Sequence, residues 1–161
     1  MAETGGIDHP EKAVAAAAMS RVGNALAWLG ITPFVVLSLW LFAIAPDHPW
    51  REGTIDLLVM YGALFLSFLG GVRWGLAISG NANARPRDLV ASAAPLVAGW
   101  TAFAIQTPHT FAALAVIFAA VGAWDAMASH AQGAPPWYGK LRVRQTAIIV
   151  ATMVLAFAAT G

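Results

Sequence analysis

The stretch YGALFLSFLGGVRWG, residues 61–75, decides the fold, because it is one long apolar run that contains a charge. Small residues recur in it at every fourth position, a spacing that places them on one face of a helix. Arg73 projects from a different face, because successive helical residues turn by about 100°. The stretch therefore predicts a membrane-spanning helix that carries both a buried charge and a ridge where another helix can pack closely. The ridge consists of Ala63, Ser67, Gly71 and Gly75.

The composition of the whole chain agrees with a membrane protein. Of its 161 residues, 59% are hydrophobic and 11% are charged, whereas soluble domains contain about 25% charged residues. The formal net charge of +1 argues against nucleic-acid binding, and the absence of cysteine excludes thiolate metal sites. The sequence contains no catalytic or phosphate-binding motif. We therefore expect a protein that is not an enzyme and that has no cofactor and no metal.

Five apolar runs each approach the roughly 20 residues that a helix needs to cross a bilayer. The sequence predicts an all-α integral membrane bundle of five transmembrane helices over residues 22–161. Residues 1–21 are predicted to be a flexible polar and alanine-rich N-terminus, whose alanine-rich part forms a short surface helix or extends the first span. Pro33 lies inside the first span and Pro95 inside the third. The predicted spans are 22–45, 55–79, 89–106, 110–129 and 143–160.

The distribution of positive charge predicts the orientation of these spans. Five crossings place the N-terminus, the second loop and the fourth loop on one side of the membrane. Of the nine Lys and Arg residues, seven lie on that side, and only Arg51 lies on the other. The positive-inside rule then predicts a multi-pass protein of the bacterial inner membrane with a cytoplasmic N-terminus. The seven are Lys12, Arg21, Arg85, Arg87, Lys140, Arg142 and Arg144.

Arg73 and Asp125 are the two charges that the sequence places inside the membrane. Helices 2 and 4 run in the same direction, and each charge lies a few residues before the end of its helix, so both lie at a similar depth. We predict an ion pair between the two helices, with Trp74 and Trp124 as aromatic neighbours. Two interpretations stay open. In the first, the ion pair, or the extension of Arg73 to the headgroups, only fixes the positions of the helices. In the second, Arg73 marks an anionic ligand or a proton route, with Asp125 as its counter-charge.

The segment WYGKLRVRQT, residues 137–146, places two aromatic residues just before three cations. Such a pattern is typical of an interfacial anchor, in which aromatic rings lie at headgroup level and cations contact anionic lipid. The alternative is a docking surface for a partner protein. The predicted lipid or partner interface consists of Trp137, Tyr138, Lys140, Arg142 and Arg144.

The chain resembles the domain of unknown function 3429 family of polytopic membrane proteins, which includes a mitochondrial transmembrane relative. The most specific matching piece is Ser67-Phe68-Leu69-Gly70-Gly71 with Trp74-Gly75, and further pieces match from helix 1 to helix 5. The resemblance implies a polytopic membrane fold and no assigned activity. Family members often have histidine at the position of Arg73, and because arginine does not titrate in proteins, this departure weakens a role in proton transfer.

Two functions remain as alternatives. The preferred one is a non-catalytic accessory or assembly subunit of a larger respiratory or photosynthetic membrane complex, because the small-residue ridge of helix 2 is typical of helix association. The other is a binder or carrier of a small amphipathic or anionic ligand near Arg73. The expected partners are the lipid bilayer and membrane-protein subunits, including a second copy of the chain, and no nucleic acid.

Overall fold

The computed structural model describes residues 8–79, 85–131 and 136–161, and within them it contains helices and no strand. Four of the helices are long and apolar enough to cross a membrane, with candidate spans Ala17–Ala43, Arg51–Ile78, His109–Met127 and Gly139–Thr160. The predicted all-α membrane bundle is thus confirmed. The helices are α1 Asp8–Ala43, α2 Arg51–Ile78, α3 Pro86–Ala91, α4 Ala94–Thr101, a 3-10 turn Ala102–Ala104, α5 His109–Ala131 and α6 Pro136–Thr160.

The first helix begins earlier than the predicted first span. It starts at Asp8 and continues without interruption to Ala43. Alanine has the highest helix propensity, and Pro10 lies in the first turn, where proline is tolerated. The alanine-rich residues therefore extend the first span instead of forming a separate surface helix, and residues 1–7 lie outside the described part of the chain.

The third predicted span differs most from the prediction, because it is divided into shorter pieces. α3 ends at Ala91, α4 begins at Ala94, and the segment finishes with the 3-10 turn. Pro95 explains the first break: it has no N–H to donate, and its ring clashes with the carbonyl four residues earlier, which belongs to Ala91. The prediction of one continuous helix over 89–106 is corrected accordingly.

The divided segment still runs along most of α2, in the opposite direction. A Cβ on Gly70 would lie 2.6 Å from the carbonyl oxygen of Ser92, and a Cβ on Gly99 would lie 3.1 Å from the Cα of Ala63. Further on, Thr110 at the start of α5 donates a hydrogen bond to the carbonyl of Ala102 at 2.9 Å. The chain thus returns to the end of the bundle where α2 begins, and α2 and α5 run in the same direction.

An aromatic cluster fills the centre of the bundle. Phe34 of α1 is fully buried, and its ring meets those of Tyr61, Phe65 and Phe118 edge-on, with centroids 5.0, 5.4 and 5.5 Å away. Edge-to-face geometry is a favoured arrangement of aromatic rings. The cluster joins α1, α2 and α5 into one core.

The outer surface of the spans is apolar. Phe68, Val116 and Val154 are each more than half exposed, although they belong to long apolar helices. Soluble monomers rarely expose large contiguous apolar patches, whereas lipid tails satisfy such side chains. This surface implies a bilayer environment for the protein.

Candidate functional site

Arg73 and Asp125 meet inside the bundle, near the end where α2 and α5 finish. Arg73 Nε donates a hydrogen bond of 2.8 Å to Asp125 Oδ1, and Arg73 Nη2 lies 2.8 Å from the same oxygen. Each residue is only 7% exposed. Because α2 and α5 are parallel, two residues at similar distances from their helix ends reach one depth.

A second arginine binds the same carboxylate. Arg142 of α6 donates two hydrogen bonds to Asp125 Oδ2, from Nε at 3.0 Å and from Nη2 at 2.8 Å. Arg142 Nη1 donates to Oε1 of Gln145 at 3.1 Å, and Gln145 Nε2 donates to the carbonyl of Ala27 at 2.9 Å. We call Arg73, Asp125, Arg142 and Gln145 the Asp125 cluster. It connects α1, α2, α5 and α6.

The Asp125 cluster carries one excess positive charge, because two guanidinium groups share one carboxylate. The ring of Trp124 lies under the guanidinium of Arg73, with Cζ 3.8 Å from the ring centroid. Such a cation–π contact stabilises part of the charge that the carboxylate does not balance. Arg73 Nη2 is buried and has no partner at a hydrogen-bonding angle. The cluster therefore favours an additional acceptor or anion over a cation.

A groove opens beside the Asp125 cluster between α1, α2 and α6. Its volume is about 410 Å³. Apolar residues such as Leu26, Phe65 and Phe68 form most of the wall, and the polar side chains at the wall are those of Arg142 and Gln145. Arg73 does not line the groove. An apolar wall that also contains a cationic side chain suits an amphipathic molecule.

Only part of the small-residue ridge packs against another helix of the same chain. Ala63 contacts Gly99 of α4, and Ser67 is half-buried. A Cβ on Gly71 or on Gly75 would have nothing within 4 Å. Instead, Gly70 makes the close approach to Ser92. The half of the ridge formed by Gly71 and Gly75 therefore has no helix partner in the described part of this chain.

The residues of the predicted lipid or partner interface separate into different environments. Lys140 and Arg144 are exposed, whereas Arg142 is 4% exposed and bound to Asp125. The prediction that Arg142 contacts lipid is thus corrected, because the residue faces the opposite side of α6. Trp74 is about half exposed, whereas the aromatic contact of Arg73 is with Trp124. The side chains of Trp137 and Tyr138 lie outside the described part of the structure.

Sequence reasoning missed Arg142 and Gln145 as members of the buried cluster. A signal for them exists, since the two residues are three positions apart and share one helix face with the buried Ile149. A glutamine on the core-facing side of an apolar helix needs a hydrogen-bond partner inside the protein. The partners of Gln145 are Arg142 and the carbonyl of Ala27.

Comparison with known proteins identifies relatives but no solved fold. The chain is similar to transmembrane protein 69 of Xenopus tropicalis, with 34% identity over 127 residues that cover 78% of this chain and 49% of that protein. It is also similar to transmembrane protein 69 of Mus musculus, with 29% identity over 97 residues that cover 59% of this chain and 40% of that protein. The matched part thus amounts to half or less of the length of these curated relatives. No solved structure matches the chain significantly.

The model of one family matches most of the chain, residues 19–158, and so includes all four members of the Asp125 cluster. The chain therefore belongs to the family described as protein of unknown function (DUF3429).

Proposed function

We propose that this protein is a non-catalytic membrane protein that binds a small amphipathic molecule with an anionic head group, in the groove between α1, α2 and α6. One observation carries the proposal: Arg142 and Gln145 form a polar end in an otherwise apolar groove. The sequence pointed to Arg73 for such a ligand. Because Arg142 lines the groove and Arg73 does not, the proposal assigns the recognition of the head group to Arg142.

The hydrogen bonds of Arg142 leave donors for a ligand. A guanidinium has five N–H groups, and the three hydrogen bonds to Asp125 and Gln145 occupy three of them. A carboxylate or phosphate that accepted the remaining two would also balance the excess positive charge of the Asp125 cluster. Charge-assisted hydrogen bonds of this kind are stronger than neutral ones.

The size and wall of the groove support an apolar ligand body. A volume of about 410 Å³ falls in the range of about 300–1,000 Å³ that is usual for small-molecule sites. Phe65 and Phe68 offer aromatic contact area on α2, and Leu26 offers aliphatic area on α1. An acyl chain or a similar tail would pack against this wall.

The test compares two ligands that differ only in the head group. The purified protein in detergent is titrated with a fluorescent fatty acid and with the fatty alcohol of the same chain length. We expect the acid to bind about ten- to a hundredfold more tightly, which corresponds to the roughly 1.5–3 kcal/mol of a hydrogen bond to a charged group. Equal affinities for acid and alcohol would contradict the proposal.

A matched pair of variants locates the binding site. Leu26→Trp places a large ring in the groove, whereas Leu29→Trp changes an equally exposed leucine of α1 that does not line it; the two leucines are 62% and 66% exposed. We expect Leu26→Trp to abolish binding of the fatty acid and Leu29→Trp to preserve it. The same effect from both variants would place the ligand elsewhere.

A second function, that of an accessory or assembly subunit of a membrane complex, is favoured by the free half of the ridge. Gly71 and Gly75 are exposed and have open space beside them, and exposed glycines allow two membrane helices to approach closely. Native mass spectrometry of the protein after mild extraction from its own membrane tests this function. Partner subunits that are lost on Gly71→Leu would support it, and a chain without partners would argue against it.

We also propose the bacterial inner membrane as the location, with the N-terminus in the cytoplasm. Of the seven cations that the sequence assigns to one side, the six other than the buried Arg142 support this orientation under the positive-inside rule. The path of the chain, with α2 and α5 parallel, supports the same number of crossings.

A further inference from the structure

A second pocket lies between α1 and α6, on the side of their contact that is opposite to the groove. Ser20, Asn24 and Trp28 line it from α1, and Lys140, Leu141 and Arg144 line it from α6. Ser20, Asn24 and Trp28 are four residues apart on α1, as are Lys140 and Arg144 on α6. Each set therefore lies on one face of its helix. The volume of this pocket, which we call the α1–α6 pocket, is about 260 Å³.

The two cations of the α1–α6 pocket have no counter-charge in the described part of the chain. Both ion pairs that the described residues form involve Asp125, and neither includes Lys140 or Arg144. Both residues are exposed. Their situation differs from that of Arg142, which lies on the opposite face of α6 and is bound to Asp125. The pocket thus presents two positive charges that are free to bind an anion.

The level of the α1–α6 pocket in the membrane follows from the cations at the starts of its two helices. Arg21 lies on α1 next to Ser20, and Lys140 and Arg144 lie on α6, and cations concentrate where a span meets the cytoplasmic surface of the membrane. Ser20 and Lys140 therefore lie close to the membrane boundary, and Asn24 and Arg144 lie one turn deeper, by about 6 Å at a rise of 1.5 Å per residue. This is the depth at which lipid headgroups meet the acyl chains.

Trp28 gives the pocket an apolar side at its deeper end. The residue is 41% exposed, and tryptophan is enriched at this level because its ring is apolar while its N–H donates a hydrogen bond. Ser20 adds a hydroxyl near the boundary, and Asn24 adds an amide one turn deeper. The pocket thus combines cations and neutral polar groups above an aromatic face, just as a phospholipid presents its headgroup and phosphate above its acyl chains.

We propose that the α1–α6 pocket binds the headgroup of one anionic phospholipid, with Lys140 and Arg144 on the phosphate diester. A zwitterionic lipid is disfavoured, because its ammonium group would meet two cations and no carboxylate. The position at the start of two membrane spans selects a lipid over free phosphate, since the acyl chains can remain in the bilayer beside Trp28. Basic pockets between transmembrane helices are known to bind anionic headgroups.

This site is independent of the groove in the proposed function. Leu141 separates the two, because it lines both pockets from the seam between α1 and α6. The groove contains Arg142, and the α1–α6 pocket contains Lys140 and Arg144. Leu26→Trp should therefore block the groove and leave phospholipid binding unchanged, so that failure of one proposal can be told from failure of the other.

The experiment is native mass spectrometry of delipidated protein in detergent, with phosphatidylglycerol or phosphatidylcholine of identical acyl chains. We expect one phosphatidylglycerol to be retained with at least tenfold preference. Lys140→Gln and Arg144→Gln should each weaken it about fivefold, the contribution of one cation near an anionic membrane surface. Arg87→Gln removes an exposed cation of α3 and should have no effect.

Three outcomes would overturn the proposal. Equal retention of the two lipids would remove the selectivity for an anionic headgroup. A loss caused by Arg87→Gln as large as that caused by Arg144→Gln would indicate general charge attraction instead of a pocket. Displacement of phosphatidylglycerol by excess inorganic phosphate would indicate a site for the free anion. The comparison of lipids uses the unaltered protein and therefore does not depend on the folding of any variant.

Discussion

Arg142 holds Oδ2 of Asp125 through two hydrogen bonds, at 3.0 and 2.8 Å, while the other carboxylate oxygen belongs to Arg73. The carboxylate is thus the only negative group that the described structure places between two buried guanidinium groups. Removal of either arginine leaves a neutral pair. Removal of the carboxylate leaves two positive charges facing each other inside the membrane, which is the costlier change.

We therefore expect Asp125→Asn to destabilise the protein more than any other single change in the Asp125 cluster. Asparagine preserves the shape of the side chain and removes its charge, so the free energy of unfolding should fall by about 3–5 kcal/mol, as for other broken buried ion pairs. Arg73→Gln and Arg142→Gln should each cost about 1–3 kcal/mol. Unfolding in mixed micelles with increasing sodium dodecyl sulfate measures all three. An Asp125→Asn variant as stable as Arg73→Gln would show that the carboxylate is not the centre of the cluster.

A set of leucine variants tests whether Arg73 and Asp125 form an isolated pair. For an isolated pair, the double variant Arg73→Leu with Asp125→Leu would be well tolerated. Because Arg142 also binds Asp125, this double variant leaves a buried arginine without a carboxylate, and we expect a loss of about 3 kcal/mol.

The triple variant, which adds Arg142→Leu, removes the last buried charge of the cluster. Replacement of a complete buried ion network by apolar residues is often neutral. We expect the triple variant to regain most of the stability that the double variant lost, measured by the same unfolding assay. A triple variant less stable than the double would contradict the assignment of Arg142 to the cluster.

The meeting of Arg73 with Asp125 could be predicted because it depends on simple quantities. The direction of two helices and the distance of each residue from its helix end fix the depth, and the rise per residue is constant. Arg142 could not be placed in the same way, because Lys140 and Arg144 surround it in sequence and suggest a single cationic surface. On a helix, residues two positions apart face nearly opposite directions, so the three cations cannot share one face.

The divided third segment and the small-residue ridge show what the sequence does not decide. Pro95 predicts a disturbed helix, but proline is tolerated in membrane helices when neighbours satisfy the freed carbonyl groups. Whether the helix kinks or divides depends on packing against α2, where Gly70 and Ala63 allow close approach. The four-residue spacing predicted that Gly71 belongs to the packing ridge, whereas the adjacent Gly70 makes the close contact with Ser92. Both glycines fit a small-residue pattern, and only the direction of the neighbouring segment distinguishes them.

The divided third segment predicts a topology that reporter fusions can check. If residues 86–104 complete a crossing, positions after Ser79 and after Pro108 lie on opposite sides of the membrane. Alkaline phosphatase, which is active only outside the cytoplasm, should be inactive when fused after Ser79 and active when fused after Pro108 or after Gly161. Green fluorescent protein should show the reverse pattern. Equal reporter activity after Ser79 and after Pro108 would mean that the segment does not cross.

Substitution of Gly122, the one glycine in the sequence of α5, should destabilise the fold. A Cβ at this position would overlap the hydroxyl of Thr146 on α6 and lie 2.7 Å from the Thr146 Cβ. The backbones of α5 and α6 approach closely there, one turn before Asp125, so the two helices would have to separate and Arg142 would move away from its carboxylate. We expect Gly122→Ala to lower the free energy of unfolding by about 1–3 kcal/mol, the usual cost of an overpacked core.

Gly71→Ala is the matched control for Gly122→Ala, because it makes the same chemical change in a helix with nothing within 4 Å of the new methyl group. Alanine is the better helix former, so this variant should be neutral or more stable by about 0.5–1 kcal/mol. Gly122→Ala combined with Thr146→Ala should recover part of the loss, since the smaller residue removes the hydroxyl and the methyl that the new Cβ would overlap. If Gly122→Ala and Gly71→Ala have the same stability, α5 and α6 do not approach as closely as Gly122 and Thr146 indicate. A loss on Gly71→Ala alone would instead indicate that the free half of the ridge packs against another chain.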